Sequence, residues 1–372
     1  MQAPGLYVHI PFCLSKCPYC GFYSLTDTSQ VDDWLAALRL ETDHYKNWTE
    51  PFDTLYIGGG TPSVLSCGQI EQLLAHLHDA FAFSPDAEIT IEANPADITV
   101  ELLQVFCQAG INRISIGVQS FNNGILTFLG RRHQAEQAEA SVKAARKAGF
   151  ENISLDLIYG IPGQAMNVWE STLNQAVALS PAHLSCYQLT VEKGTPLATG
   201  VAGGGTLLPD EEMQAEFFFR TAARLEDAGY LQYEVSNFAL PGRESRHNQK
   251  YWDHTPYLGL GPSAHSFTGS ERIWNRASVS SYIEELAAGQ APFEGRETLD
   301  KNKLRLEALF LGFRTRRGIC LDELRVCYGQ DLLKEKHEAI SRLAAAGFVE
   351  ISDGFLKPTR RGMAVADSLA MI

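Results

Sequence analysis

The chain has 372 residues, 45% of them hydrophobic, enough for a large buried core and more than one domain. Its 31 Lys and Arg against 44 Asp and Glu leave a net charge of −13, which argues against nucleic acid or an anionic membrane surface as the main partner. There is no run of about 18 apolar residues to cross a membrane, and no basic-then-apolar leader at Met1–Gly5. Eight cysteines in this length are no disulfide scaffold, so a cytoplasmic protein is expected.

In chain order, hydrophobic spacing predicts a strand over Leu6–Phe12. A helix over Val31–Trp48 follows, carried by Val31, Trp34, Leu35 and Leu38. Thr54–Ile57 reads as a second strand running into Gly58-Gly59-Gly60, and Ile70, Leu73, Leu74 and Leu77 mark the next helix. Further strands are expected over Glu88–Ala93, Arg113–Val118, Asn152–Tyr159 and Leu184–Leu189. They alternate with helices over Val100–Ala109, Gln134–Ala148, Val168–Leu179 and Asp210–Ala228, the last opened by Pro209 with acids in its first turn. Six strand–helix repeats imply parallel strands with right-handed crossovers: a whole or partial (β/α) barrel, with a doubly wound open sheet as the alternative.

Side chains alternate between the two faces of a strand. Leu6, Val8 and Ile10 share one face of the first strand, and Tyr7 and His9 the other. Ile89 and Ile91 oppose Thr90 and Glu92; Ile114, Ile116 and Val118 oppose Ser115, Gly117 and Gln119; Ile153, Leu155 and Leu157 oppose Ser154 and Asp156. The apolar face suits packing under helices. The polar face needs partners, because a buried unpaired carboxylate is very costly, and a polar ligand inside the barrel supplies them.

After about residue 290 the pattern changes. Helices are expected over Leu304–Phe313, Leu321–Tyr328 and near Ala339–Ala346, then a hairpin of Phe348–Ile351 and Phe355–Lys357 around Asp353-Gly354. That order suggests a small winged-helix-like domain. The expected division is a barrel over 1–230, a connecting region over 231–290 and the C-terminal domain over 291–372. Ala202–Thr206 reads as a flexible loop, and Arg314, Arg316 and Arg317 as a solvated basic loop.

Five cysteines, Cys67, Cys107, Cys186, Cys320 and Cys327, read as small buried hydrophobes, Cys107 lying beside Leu103 and Phe106 on a helix face. Cys13, Cys17 and Cys20 differ: they form C-x3-C-x2-C immediately after the first strand. Thiolates so spaced can wrap one metal centre from one loop. Structural zinc usually takes four protein ligands, and none follows closely. Three thiolates on a [4Fe–4S] cubane leave one iron open for a small chelating cofactor. A zinc-stabilised interaction protein remains the competing reading.

The C-x3-C-x2-C loop after strand one resembles the radical S-adenosylmethionine (SAM) superfamily. The resemblance implies that SAM chelates the open iron and is cleaved to a 5′-deoxyadenosyl radical by one electron from the cluster. It assigns SAM contacts to Tyr7, Gly59, Gly60, Thr61, Glu92, Gln119, Arg131 and Asp156. Glycines let backbone approach the SAM amino group, the carboxylates face ribose hydroxyls and Arg131 faces the SAM carboxylate.

Tyr7-Val8-His9-Ile10-Pro11-Phe12-Cys13, Gly117-Val118-Gln119-Ser120-Phe121 and Asp156-Leu157-Ile158-Tyr159-Gly160-Ile161-Pro162-Gly163 resemble oxygen-independent coproporphyrinogen III dehydrogenase. That family reads C-x3-C-x2-C-x-C, and the fourth cysteine is here Phe22, which speaks against the dehydrogenase activity. The stretch His247-Asn248-Gln249-Lys250-Tyr251-Trp252 matches the H-N-x-x-Y-W motif of the paralogous HemW family of haem chaperones. This resemblance implies haem as cargo, held at His247, Tyr251 and Trp252, and haem-requiring proteins as recipients, a transient membrane-protein recipient among them. It also implies an electron donor such as flavodoxin or ferredoxin. From the charge no nucleic acid partner is expected, and the oligomeric state is left open between a monomer and a weak dimer. Tyr257, Trp274 and the Gly259–His265 loop are candidates to extend the haem pocket, with His265 a second candidate ligand.

Overall fold

The structure, a computed structural model, describes residues 2–371. Six parallel strands lie side by side in chain order: β1 (Gly5–Ile10), β2 (Phe52–Gly59), β3 (Phe83–Ala93), β4 (Arg113–Gln119), β5 (Asn152–Tyr159) and β6 (His183–Gln188). The sheet extends past β6 through β7 (Leu231–Gln232) and β8 (Asn237–Ala239). Past β1 it continues through β9 (Tyr257–Leu260), β10 (His265–Phe267), β11 (Glu271–Asn275) and β12 (Phe293–Thr298). The ladder has two free edges, β12 and β7, so the barrel is partial and does not close on itself.

The alternation seen in the strands decides which way the sheet curves. Leu6, Val8 and Ile10, with Ile114, Ile116 and Val118, are fully buried under the helical layer. Trp34 and Trp169, among the largest fully buried side chains, lock two of those helices onto it. Burying a side chain of this size contributes about 1.5–3 kcal/mol. Trp169 Nε1 also donates to Thr221 Oγ1 at 2.8 Å, so its one polar atom is satisfied. This core runs from Leu6 to Leu286 and includes Val279 and Tyr282 from the segment after the barrel.

Element bounds depart from the expected ones where side chains find other partners. The first helix stops at Asp43 rather than Trp48. Trp48 stacks on Phe52 with ring centroids 5.1 Å apart, so its apolar surface is buried without further helix. β1 ends at Ile10, and Phe12 forms an isolated bridge to Leu25 instead. A short helix, Asn123–Phe128, capped by the Asn122 side chain, was not expected.

The C-terminal segment runs helix (Lys301–Phe313), β13 (Ile319–Cys320), helices (Leu321–Tyr328, Leu332–Glu335 and His337–Ala345), β14 (Val349–Ser352) and β15 (Phe355–Pro358). Its strands pair in the order β13-β15-β14, the winged-helix arrangement. Asp353 and Gly354 both have positive φ, 55° and 81°, as the two-residue hairpin turn requires. Leu309, Phe313, Leu324, Ile340 and Leu356 form a separate core. Two expectations are corrected here. Arg314 is not a solvated loop residue: its guanidinium lies over the Trp252 ring and donates to Asp367 Oδ1 at 2.6 Å. Of the five scattered cysteines only Cys186 is buried; Cys67, Cys107 and Cys320 are half-buried and Cys327 is exposed. Among the described residues no helix is long and apolar enough to cross a membrane.

Candidate functional site

The loop after β1 is pinched shut by its own backbone. Cys13 N donates to Leu25 O at 2.9 Å and Leu25 N to Pro11 O at 2.8 Å, which turns the intervening residues into a closed lobe. Cys20 N donates to Cys17 O at 3.2 Å, and Lys16 Nζ to Phe22 O at 3.1 Å. The three cysteines form no disulfide; Cys13 is buried and Cys17 and Cys20 are half-buried. All three line one cavity of about 1500 Å³. Thr61 Oγ1 donates to Cys13 Sγ at 3.2 Å, and an Arg131 guanidinium nitrogen lies 3.6 Å from Cys17 Sγ. Both contacts aim hydrogen-bond donors at sulfur. Burial pushes the Cys20 thiol up. Among the described residues no three Cys, His, Asp or Glu side chains converge on a single ion.

The glycine run closes against this lobe. Gly60 N donates to Ile10 O and Thr61 N to Phe12 O, both at 2.8 Å, so β2 hands its last hydrogen bonds to the cysteine loop. Gly59 has φ 107°, and a Cβ there would meet the His9 ring at 2.6 Å. The backbone here is a bare cradle that no side chain can fill.

Glu92, Gln119, Arg131 and Asp156 line the same cavity. Glu92 accepts from Tyr56 Oη at 2.7 Å, and Asp156 from Ser115 Oγ at 3.1 Å. Burial pushes Glu92 up to about 7, opposed by the Tyr56 hydrogen bond and helped by the charge of Asp156. Burial likewise raises Asp156, opposed by donation from Ser185. Gln119 has a left-handed φ of 64° at an irregularity in the β4–β5 register, a conformation that costs about 1–3 kcal/mol and clusters at ligand sites. Its Oε1 is buried without a partner, as is Arg131 Nε. Open polar atoms beside a bare backbone cradle fit a zwitterionic, hydroxyl-bearing ligand such as SAM.

Tyr7 does not line this cavity. It hydrogen-bonds His9 Nδ1 at 3.0 Å, while His9 Nε2 lies 2.9 Å from Tyr23 O. Tyr7 thus steadies the histidine that backs Gly59.

The H-N-x-x-Y-W stretch forms a helix, Arg246–Trp252, N-capped by Ser245. It seals the N-terminal ends of the strands. Lys250 Nζ pairs with Asp53 Oδ1 at 2.6 Å and donates to Ala3 O at 2.7 Å. Arg246 donates to Asp86 O at 2.7 Å, and Glu88 accepts from the His247 backbone N–H at 3.1 Å. His247 is 0% exposed. Its Nδ1 lies 2.8 Å from Thr54 Oγ1 and its Nε2 2.9 Å from Tyr251 Oη, so both ring nitrogens are engaged. Burial lowers its pKa to about 3, so the ring is neutral. His247 is therefore held away from the cavity, and Tyr251 and Trp252 are the motif side chains that reach it. Tyr257 packs edge-on to Tyr251 at 4.8 Å, and His265 is exposed and stacked on Trp274 at 6.1 Å.

Residues missed in the sequence complete the walls. Arg113, Tyr187 and Asn237 line the barrel side, and Phe348, Arg361 and Val365 bring the C-terminal domain to the mouth. Arg113 was legible by parity, since it precedes Ser115, Gly117 and Gln119 on one face of β4. The C-terminal contributions carry no such signal.

Residues 7–176 match the Radical SAM superfamily and residues 299–365 the HemN C-terminal domain. The chain is 38% identical to Heme chaperone HemW of Mycobacterium tuberculosis over 99% of this chain and 94% of the relative. It is 36% identical to the Bacillus subtilis protein of that name over 96% and 95% of the respective chains. Among solved structures, Escherichia coli coproporphyrinogen III oxidase (HemN), a radical SAM enzyme, superimposes with a TM-score of 0.85 at 26% identity, covering 100% of this chain and 90% of that one. The cysteine lobe, the glycine cradle and the whole-length identity together place the chain in the HemW family of the radical SAM superfamily.

Proposed function

We propose that this protein is a haem chaperone: it binds haem and passes it to haem-requiring partner proteins. The observation that carries this reading is the single cavity in which the three thiols stand at one end and the Tyr251–Trp252 pair at another. Cys13, Cys17 and Cys20 hold a [4Fe–4S] cluster, which when bound supplies one electron for reductive cleavage of SAM. Gly59, Gly60 and Thr61 take the SAM amino group, Glu92 and Asp156 the ribose hydroxyls, and Arg131 the carboxylate, with Gln119 orienting the ligand. Tyr7 acts through His9 on the glycine cradle. Tyr251 and Trp252 offer aromatic faces to the porphyrin, and His247 fixes the Tyr251 hydroxyl. The division at 230 and 290, a cytoplasmic location, a flavodoxin or ferredoxin donor and a monomer or weak dimer belong to the same proposal.

Anaerobic reconstitution followed by haem titration tests it: a saturable Soret band is expected, and its absence sinks the reading. The likeness to HemN favours a second reading, oxidative decarboxylation of coproporphyrinogen III. Phe22, 68% exposed on the cysteine loop, stands where that family keeps a fourth cysteine. Protoporphyrinogen formation with SAM and a reductant would reverse the ranking.

A further inference from the structure

Arg113 opens β4 on the inner face of the barrel, is 1% exposed and lines the cavity. A guanidinium does not give up its proton, so its charge stays wherever it is buried. Yet Nε and Nη1 of Arg113 have no hydrogen-bond partner. Its neighbours are already committed. Asp156 accepts from Ser115 at 3.1 Å and Glu92 from Tyr56 at 2.7 Å. His183 uses one ring nitrogen with Ser154 Oγ and the other with Tyr233 Oη, both at 2.8 Å. Asn237, 4% exposed on the same cavity wall, also leaves its Oδ1 unpartnered. Asp156 and Glu92 lie close enough to feel the Arg113 charge, but a buried guanidinium whose fork lacks acceptors is still costly, and placing it beside a large cavity makes sense when a ligand anion completes it.

We infer that Arg113 is the anchor of a carboxylate-binding subsite deep in the cavity, and that its ligand is a propionate of the tetrapyrrole cargo. The guanidinium fork matches a carboxylate in bidentate geometry. A second carboxylate source is the methionine part of SAM, but position argues against it. A SAM carboxylate bound to the cluster would sit beside the cysteines, where Arg131 lies 3.6 Å from Cys17 Sγ. The backbone of Arg113, at the start of β4, is roughly 20 Å from that of Gln119 at its end, at about 3.3 Å per residue, and the Arg113 charge is felt at Glu92 and Asp156 rather than at the cysteines. The inference rests on the haem-chaperone reading and adds the group on the porphyrin that the barrel recognises.

The test titrates reconstituted protein with haem and with haem dimethyl ester, which lacks free propionates, following the Soret band, and measures SAM binding separately. Wild type should prefer haem by on the order of ten- to a hundredfold, as a buried charge-assisted pair predicts. Arg113→Gln should lose most of that preference and keep its SAM affinity; Arg113→Lys, which retains the charge, should keep part of it. The comparison of the two porphyrins on wild type needs no variant to fold. Equal binding of acid and ester by wild type, or an undiminished preference in Arg113→Gln, overturns the subsite alone. Loss of SAM binding in Arg113→Gln reassigns the arginine to SAM and overturns it too. Failure of wild type to bind either porphyrin removes the chaperone reading, and the subsite with it.

Discussion

At the C-terminal ends of the strands, Gln119 Oε1 and Arg131 Nε are buried without partners around a bare glycine cradle. At the N-terminal ends, the helix Arg246–Trp252 has committed its imidazole, its ammonium and its arginine to Thr54, Tyr251, Asp53, Ala3 and Asp86. The C-terminal end keeps polar atoms open, as a ligand site must. At the other end the plug helix uses the same residue types to close the fold, beneath an Arg113 whose Nε and Nη1 also stay open. A motif read as ligand-binding can therefore be half structural: His247 belongs to the plug, while Tyr251 and Trp252, on the same short helix, face the cavity.

The contrast can be broken most directly at the open end. Replacing Cys13, Cys17 and Cys20 together by serine should abolish iron–sulfide absorption after anaerobic reconstitution and leave the circular dichroism of the apo-protein little changed. Retention of the absorption would remove the cluster assignment.

At the closed end, Lys250→Met removes the buried partner of Asp53, which keeps only Arg246 at 3.3 Å, and strands the Ala3 carbonyl, and should cost about 1–3 kcal/mol in urea unfolding. A loss under 1 kcal/mol would mean that the helix is not a plug.

His247 discriminates between the two ends more finely. His247→Ala should cost about 2–4 kcal/mol, because it opens a void and strands two hydroxyls. Tyr251→Phe removes only the hydroxyl on the cavity side and should cost about 1 kcal/mol. If the assignment is right, haem affinity follows changes at Tyr251 and Trp252. His247→Ala that keeps full stability but loses haem uptake would place His247 at the cargo instead.

In pH the two ends have opposite signs. Burial holds Glu92 at about 7 against an ordinary 4.5, so the folded state keeps a proton that the unfolded chain releases, and stability falls as pH rises from 4.5 towards 7. His247 is held at about 3 against 6.5, so the unfolded chain takes up the proton first, and stability falls as pH drops from 6.5 towards 3. Glu92→Gln should reduce the first slope, which Glu41 and Glu234, also held at about 7, share, and His247→Gln the second, which His9 and His133 share, read from thermal unfolding across that range. Slopes that survive both substitutions would show that other buried groups set the pH profile.

Much of this arrangement was legible beforehand. The six strand cores, the polar inner face and the C-x3-C-x2-C lobe follow from local rules: alternation, helical spacing and the way thiolates wrap a metal. Helix ends were less legible, because Trp48 leaves its helix to stack on Phe52, a contact between elements. The burial of His247 was not legible either. An imidazole becomes a core group or a ligand according to what surrounds it, and Thr54 and Tyr251 come to it only when β2 and the plug helix meet.

Order and spacing along the chain by themselves determined the strand–helix repeat, the grouping of three thiols in one loop and the sequence of elements in the C-terminal domain, since each depends on neighbours a few residues apart. Which polar atoms stay open was decided only in three dimensions. Arg113 Nε and Nη1 face the cavity without acceptors because Glu92, Asp156 and His183 around it are taken by Tyr56, Ser115, Ser154 and Tyr233, and Phe348, Arg361 and Val365 reach the mouth because a second core packs there. Hydrogen-bond satisfaction is a property of the assembled neighbourhood, and no local pattern encodes it.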